Sequence, residues 1–219
     1  MIRIPPNCDA VIFDMDGVLT DSEPLINEAA ISLLKEYGVQ AKASDFQPFV
    51  GTGENRYIGG VAEKYGVTLD ISAAKHRLYE IYLALVPDKL QAFPGAVKLV
   101  RECRMAGKLT AVATSADMIK LKANLLRIDL PPEGWAAVVT AEDADARKPA
   151  PDLFLAAART LNVPPGRCVV VEDAVTGIMA AKAAGMYCIA VAHTFPAAQL
   201  MQADVVVSSI ADIAADRKC

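Results

Sequence analysis

Near the start of the chain the run Ala10-Val-Ile-Phe13 ends on Asp14-Met-Asp16-Gly17, and this short stretch narrows the possible folds more than any other. An apolar block with no polar alternation fits a strand covered on both faces, as in the parallel sheets of α/β proteins. Such sheets place their ligands at the carboxyl ends of the strands. Two carboxylates two positions apart at such an end can share a metal if the backbone turns sharply, and Gly17 permits that turn at little steric cost. A backbone carbonyl there adds a further oxygen. Hard oxygen donors in small number suit Mg²⁺, which also takes substrate phosphate.

After this strand, from about Glu23 to about Val86, the pattern becomes helical. Leu25, Ala29, Leu33, Leu34 and Tyr37 recur at helical spacing, and Gly38 closes the run as a helix end does. Further helices are expected over 45–49, 55–65 and 72–85, with Gly66 stopping the second and Ser72 capping the third. The pair Pro94-Gly95 marks a return to a different pattern. Helical segments at 96–105, 118–126, 152–161 and 177–184 then alternate with strand-like runs at 109–113, 136–140, 168–171, 187–191 and 205–207. Strands separated by helices imply right-handed crossovers and a parallel sheet covered on both faces. The expected fold class is therefore α/β, a Rossmann-like parallel sheet core with an inserted all-helical cap. The core would comprise residues 1–21 and 92–219, and the cap residues 22–91.

Three later strand ends carry polar groups suited to phosphoryl chemistry. Thr114 and Ser115 follow the run at 109–113, where a hydroxyl and the free N–H groups of a helix start can hold phosphoryl oxygens. Lys148 lies in Arg147-Lys-Pro-Ala-Pro151, and a lysine stiffened by prolines can neutralise a transferring phosphoryl group. Glu172 and Asp173 follow Val169-Val-Val171 and can complete a metal shell. Each group also has an ordinary explanation: a helix cap, a solvated loop lysine, or acids that complement a helix dipole by ~0.3–1 kcal/mol. Their agreement in order and placement is what favours chemistry.

The balance of 22 basic and 26 acidic residues, net −4, argues against a general nucleic-acid or anionic-membrane surface. No apolar run is long enough to span a bilayer, and Met1-Ile-Arg-Ile-Pro-Pro lacks the apolar block of a signal peptide, so a soluble chain without membrane contact is expected. Cys8, Cys103, Cys168, Cys188 and Cys219 are odd in number and contain no Cys-x-x-Cys pair, which fits a reducing compartment. His76 and His193 do not cluster with them, so zinc is not expected.

The string Phe13-Asp-Met-Asp-Gly-Val-Leu-Thr-Asp-Ser22, followed in order by the three later motifs, resembles the haloacid dehalogenase-like hydrolase superfamily and its helical-cap, β-phosphoglucomutase-like branch. The resemblance implies that Asp14 is a nucleophile and metal ligand. It makes Asp16 the general acid/base, with its carbonyl on the metal, and assigns Thr114, with Ser115 beside it, and Lys148 to the phosphoryl group. Glu172 and Asp173 would complete Mg²⁺ binding. The implied activity is Mg²⁺-dependent hydrolysis of a small phosphorylated metabolite through an aspartyl-phosphate, by a chain acting as a monomer. A β-phosphoglucomutase-type phosphotransferase is the enzymatic alternative. Against it, Ile26 occupies the hinge position where sugar-phosphate mutases carry a histidine, and Glu54 stands where they carry a phosphate-binding arginine. In the cap loop Thr52, Gly53 and Glu54 are expected to face the substrate. Segments 49–54, 58–62 and 148–157 are also similar to the stromal hydrolase-like domain of a plant and algal chloroplast protein family. That similarity implies a chloroplast stroma location and keeps open a regulatory or interaction role with residual phosphatase activity.

Overall fold

The computed structural model describes residues 1–215, and Cys219 lies outside the described residues. In chain order the elements are β1 (Ile2–Arg3), β2 (Ala10–Phe13), α1 (Glu23–Glu36), α2 (Glu54–Lys64), α3 (Ile71–Lys89), α4 (Ala96–Met105), β3 (Leu109–Ala113), α5 (Met118–Arg127), β4 (Ala137–Val139), α6 (Asp152–Leu161), β5 (Cys168–Glu172), α7 (Val175–Ala183), β6 (Tyr187–Val191), β7 (Val205–Val207) and β8 (Ile213–Ala214). The chain divides into two compact units, one of Met1–Asp21 with the chain from Gln91 onward, the other Ser22–Leu90.

The first unit is a parallel six-stranded sheet in the order β4-β3-β2-β5-β6-β7. This is the α/β Rossmann-like architecture, and its strand order reverses direction beside β2. Ala10 pairs with both Leu109 and Cys168, and Phe13 with both Val112 and Val171, so β2, β3 and β5 end level with one another. At or just past these ends stand Asp14, Thr114, Glu172, which is the last residue of β5, and Asp173. Every residue of β2 is buried. Val11 and Phe13 pack into one core with Val112, Val171 and Trp135, while Ala10 and Ile12 pack into the other with Ala111, Val170 and Phe154. Burial on both faces is why β2 shows no polar alternation, and each large apolar side chain so buried stabilises the fold by ~1.5–3 kcal/mol.

The second unit is helical. Leu25, Ile26, Ala29, Ala30, Leu33 and Leu34 form the buried face of α1. Two expectations fail here for local reasons. The helix expected over 45–49 is instead a pair of 3-10 turns, Ala43–Asp45 and Gln47–Phe49. Pro48 cannot donate to a continuing helix, and the Asp45 carboxylate accepts from the Lys42 N–H at 2.8 Å, which closes the first turn. The cap of α3 is Asp70, not Ser72, and its carboxylate accepts from the Ala73 N–H at 3.1 Å. In the sheet unit, α7 begins two residues before Gly177, and β1 pairs with β8 across almost the whole chain. Among the described residues no helix is long and apolar enough to cross a membrane.

Candidate active site

The level strand ends bring Asp14, Glu172 and Asp173 together, and the loop before α6 adds Lys148 to make a buried cluster. The Lys148 side chain is only 6% exposed, and its Nζ donates to Asp14 Oδ1 at 2.6 Å and to Glu172 Oε1 at 2.5 Å. Its ammonium also lies 4.9 Å over the Phe154 ring, an apolar floor that holds it in place. The other Glu172 oxygen, Oε2, accepts from the backbone N–H groups of Asp173 and Ala174 at 2.7 and 2.6 Å. That carboxylate is therefore locked by its own turn. Ligand atoms of Asp14, Glu172 and Asp173 lie within 4.8 Å of one another.

Two glycines make this density possible. Gly17 has φ +80, and a Cβ built there would sit 1.9 Å from Asp173 Oδ2 and 2.8 Å from Thr194 Oγ1. At Gly177, in the first turn of α7, a Cβ would sit 1.6 Å from Glu172 Oε1. Only glycine lets these backbones approach the acids so closely.

Burial dominates the electrostatics. It pushes the Asp14 carboxyl up to about 7, with Glu172 and Asp16 adding to the rise and Lys148 opposing it. Burial also raises Asp173 well above the usual carboxylate range, reinforced by Glu172 and Asp14. For Lys148 burial works against the charge, yet Asp14 and Glu172 outweigh it, so the ammonium is held charged. Three buried acids face one ammonium, more than its single charge can balance, so protons or a cation must supply the rest, and the donors are all oxygen. A small hard dication fits such a set.

Thr114 is buried, and its Oγ1 accepts from the Ala116 N–H at 3.1 Å, while Ser115 is partly exposed beside it. The expectation that these residues open a helix is corrected. The N-cap of α5 is Asp117 and the helix begins at Met118, because the turn at Thr114 is closed by its own side chain and Asp117 is extended. Asp16 stands apart from the acid cluster, its carboxylate held by Lys120 Nζ at 2.9 Å. Pattern reading overlooked Lys120. The signal was available, since Lys120 and Asn124 are four apart and immediately precede Leu121 and Leu125, which form the buried stripe of α5. It also overlooked His193, whose ring lies against the site's turn: Nε2 accepts from the Ile210 N–H at 3.3 Å, so Nδ1 carries the proton and donates to the Gly17 carbonyl at 2.8 Å. In the helical unit, Thr52 Oγ1 donates to the Phe49 carbonyl at 2.7 Å, Gly53 is the N-cap of α2 with φ 84, and Glu54 is the buried first residue of that helix.

Comparison with known proteins agrees with this architecture. The family described as haloacid dehalogenase-like hydrolase matches residues 8–185. The chain is 49% identical over 197 residues to Protein SUPPRESSOR OF QUENCHING 1, chloroplastic, of Arabidopsis thaliana, covering 89% of this chain but 19% of that protein. Hexitol phosphatase A of Escherichia coli (strain K12) is 32% identical over 212 residues, 94% of this chain and 93% of the relative. Among solved structures, CbbY from Rhodobacter sphaeroides in complex with phosphate has a TM-score of 0.85 at 26% identity, covering 94% of this chain and 96% of that one. Since the family match runs through the first strand, the lysine loop and the paired acids, the chain belongs to the haloacid dehalogenase-like hydrolase family of enzymes.

Proposed function

We propose that the chain is a Mg²⁺-dependent phosphatase that hydrolyses a small phosphorylated sugar or polyol through an aspartyl-phosphate on Asp14. The observation that carries this reading is the placement of a buried carboxylate, Asp14, against a buried ammonium, Lys148, inside an all-oxygen acid cluster. Lys148 holds one Asp14 oxygen and leaves the other to attack phosphorus. In the first step an Asp14 oxygen bonds to phosphorus and the ester P–O bond breaks, while protonated Asp16 gives its proton to the leaving oxygen. In the second, water bonds to phosphorus and passes a proton to the Asp16 carboxylate, the acyl–phosphate bond breaks, and inorganic phosphate leaves. Thr114, Ser115 and Lys148 hold the phosphoryl oxygens. Asp14, Asp173 and Glu172, with the Asp16 carbonyl, would hold Mg²⁺, which when bound supplies positive charge to the phosphoryl oxygens.

Hexitol phosphatase A supports a sugar-phosphate substrate class by its near full-length similarity. Selection among such substrates falls to the cap loop of Thr52, Gly53 and Glu54, where an acidic residue disfavours a second phosphate. Glu54→Arg should therefore raise turnover of bisphosphates relative to monophosphates; an equal change in both removes the loop from this role. The core assignment is tested by Asp14→Asn, which should abolish hydrolysis of p-nitrophenyl phosphate with Mg²⁺ present. Undiminished activity in that variant would refute the nucleophile.

A second reading is favoured by the 49% identity to a chloroplast protein of which this chain spans 19%. In it the domain resides in the chloroplast stroma and acts within a larger assembly, with generic phosphatase activity only. A panel of phosphorylated metabolites separates the two. One strongly preferred compound supports the first, and uniformly poor turnover supports the second.

A further inference from the structure

The turn that carries Asp16 is gripped by one face of α5. Lys120 is a lysine only 4% exposed, and its ammonium lies 2.9 Å from Asp16 Oδ2. One helical turn further on, the fully buried Asn124 donates from Nδ2 to Thr20 Oγ1 at 3.4 Å. Thr20 in turn closes the loop: its Oγ1 and N–H both donate to the Met15 carbonyl, at 3.3 and 3.0 Å, and its own carbonyl accepts from the Gly17 N–H at 3.0 Å. Positions four apart project from the same helix face, so α5 meets this turn at two points, one on the carboxylate and one on the backbone. Burying a lysine is costly without a partner of opposite charge, and the fold places this one where its partner is the Asp16 carboxylate.

We propose that Lys120 is a positioning residue that fixes the direction of the Asp16 carboxylate, with Asn124 fixing the turn beneath it. This rests on the phosphatase reading and adds to it a residue on a rigid helix that aims the acid at the leaving oxygen. Asp16 is the more exposed member of the pair, with its side chain 30% accessible against 5% for Lys120. Without Lys120 that carboxylate loses the buried contact that fixes its direction, and the leaving group departs with less help. The loss falls on the protonation of the leaving oxygen, because the attacking carboxylate of Asp14 keeps its own anchor, the Lys148 ammonium at 2.6 Å.

The test compares kcat/KM for p-nitrophenyl phosphate, whose leaving group needs little protonation, with phenyl phosphate, which has the same ring and a far more basic leaving oxygen. Lys120→Met should raise the ratio of the two by about tenfold or more, within the range that general acid catalysis contributes. Asp16→Asn should raise it similarly, and the double variant should add little further, because the two residues act as one unit. Lys120→Arg should return the ratio most of the way to wild type. Should Lys120→Met not fold, Asn124→Ala, which leaves the ammonium in place, should move the ratio in the same direction by a smaller factor. An unchanged ratio in the folded variants, whether both substrates slow equally or neither does, would overturn the positioning role. Undiminished hydrolysis in Asp14→Asn would instead overturn the phosphatase reading itself, and this proposal with it.

Discussion

Replacing Lys148 by methionine keeps an unbranched apolar stem of nearly the same length but removes the ammonium that Asp14 and Glu172 share and that lies over the Phe154 ring. Taking one partner from a buried ion pair costs about 3–5 kcal/mol, since it leaves an uncompensated buried charge. For a chain of this size 1 kcal/mol moves the melting temperature by about 2–4 °C, so the metal-free variant should melt roughly 6–20 °C lower at pH 8. The penalty must depend on pH. Asp14 titrates at about 7 because burial raises it, so at pH 5 it is already neutral and no longer pairs with Lys148 as a charge. Without Lys148 the Asp14 carboxyl rises further, so the share of the loss that comes from Asp14 opens only as pH climbs through the wild-type value, while the share from Glu172 is already present below it. Scanning calorimetry in chelator at pH 5 and pH 8 should give a clearly smaller loss at pH 5. An equal loss at both values would refute the coupling between Lys148 and an ionising Asp14.

The same electrostatics governs metal binding: Mg²⁺ should raise the melting temperature of the wild type more at pH 8 than at pH 5, because protons occupy Asp14 and Asp173 at the lower pH. A stabilisation independent of pH would place the ion elsewhere. In the metal-free wild type, the raised Asp14 carboxyl means that stability falls as pH rises from the ordinary carboxylate range to about 7 and is level above it with respect to this group, which a melting series in chelator will report. Gly17→Ala should lose nearly all activity and destabilise by about 1–2 kcal/mol from its positive φ alone, before the clash with Asp173 is counted. A fully active Gly17→Ala would show that the turn does not need its close approach to that acid.

What could be read from sequence follows from the range of the forces involved. The run Ala10-Val-Ile-Phe13 was legible as a buried strand because both of its faces meet apolar cores, leaving no position for a polar residue. The alternation from Ala96 onward was legible because helices between strands permit little besides a parallel sheet. The two-residue strands β1 and β8 were not, since their pairing joins opposite ends of the chain and two residues carry no period. Residues 45–49 could be read as a helix, and the departure turns on single atoms, the missing N–H of Pro48 and the carboxylate of Asp45. Asp14, Lys148, Glu172 and Asp173 each sit beside a recognisable strand or proline signal. That they meet depends on β2 lying between β3 and β5, which no local pattern states. Lys120 was overlooked for a different reason: a lysine on a helix is ordinarily solvated, and although its place beside the buried stripe of α5 is visible in the sequence, its partner Asp16 is shown by the fold alone.

The central claim is that Asp14 becomes phosphorylated during turnover. Quenching the enzyme in acid while it hydrolyses a phosphate-labelled monoester, then treating it with hydroxylamine and mapping the peptides, tests this directly. The expected result is an acid-stable label that hydroxylamine removes, leaving a hydroxamate at Asp14, with neither seen in Asp14→Asn. Steady hydrolysis with no label on the protein, or a label on another residue, would contradict it.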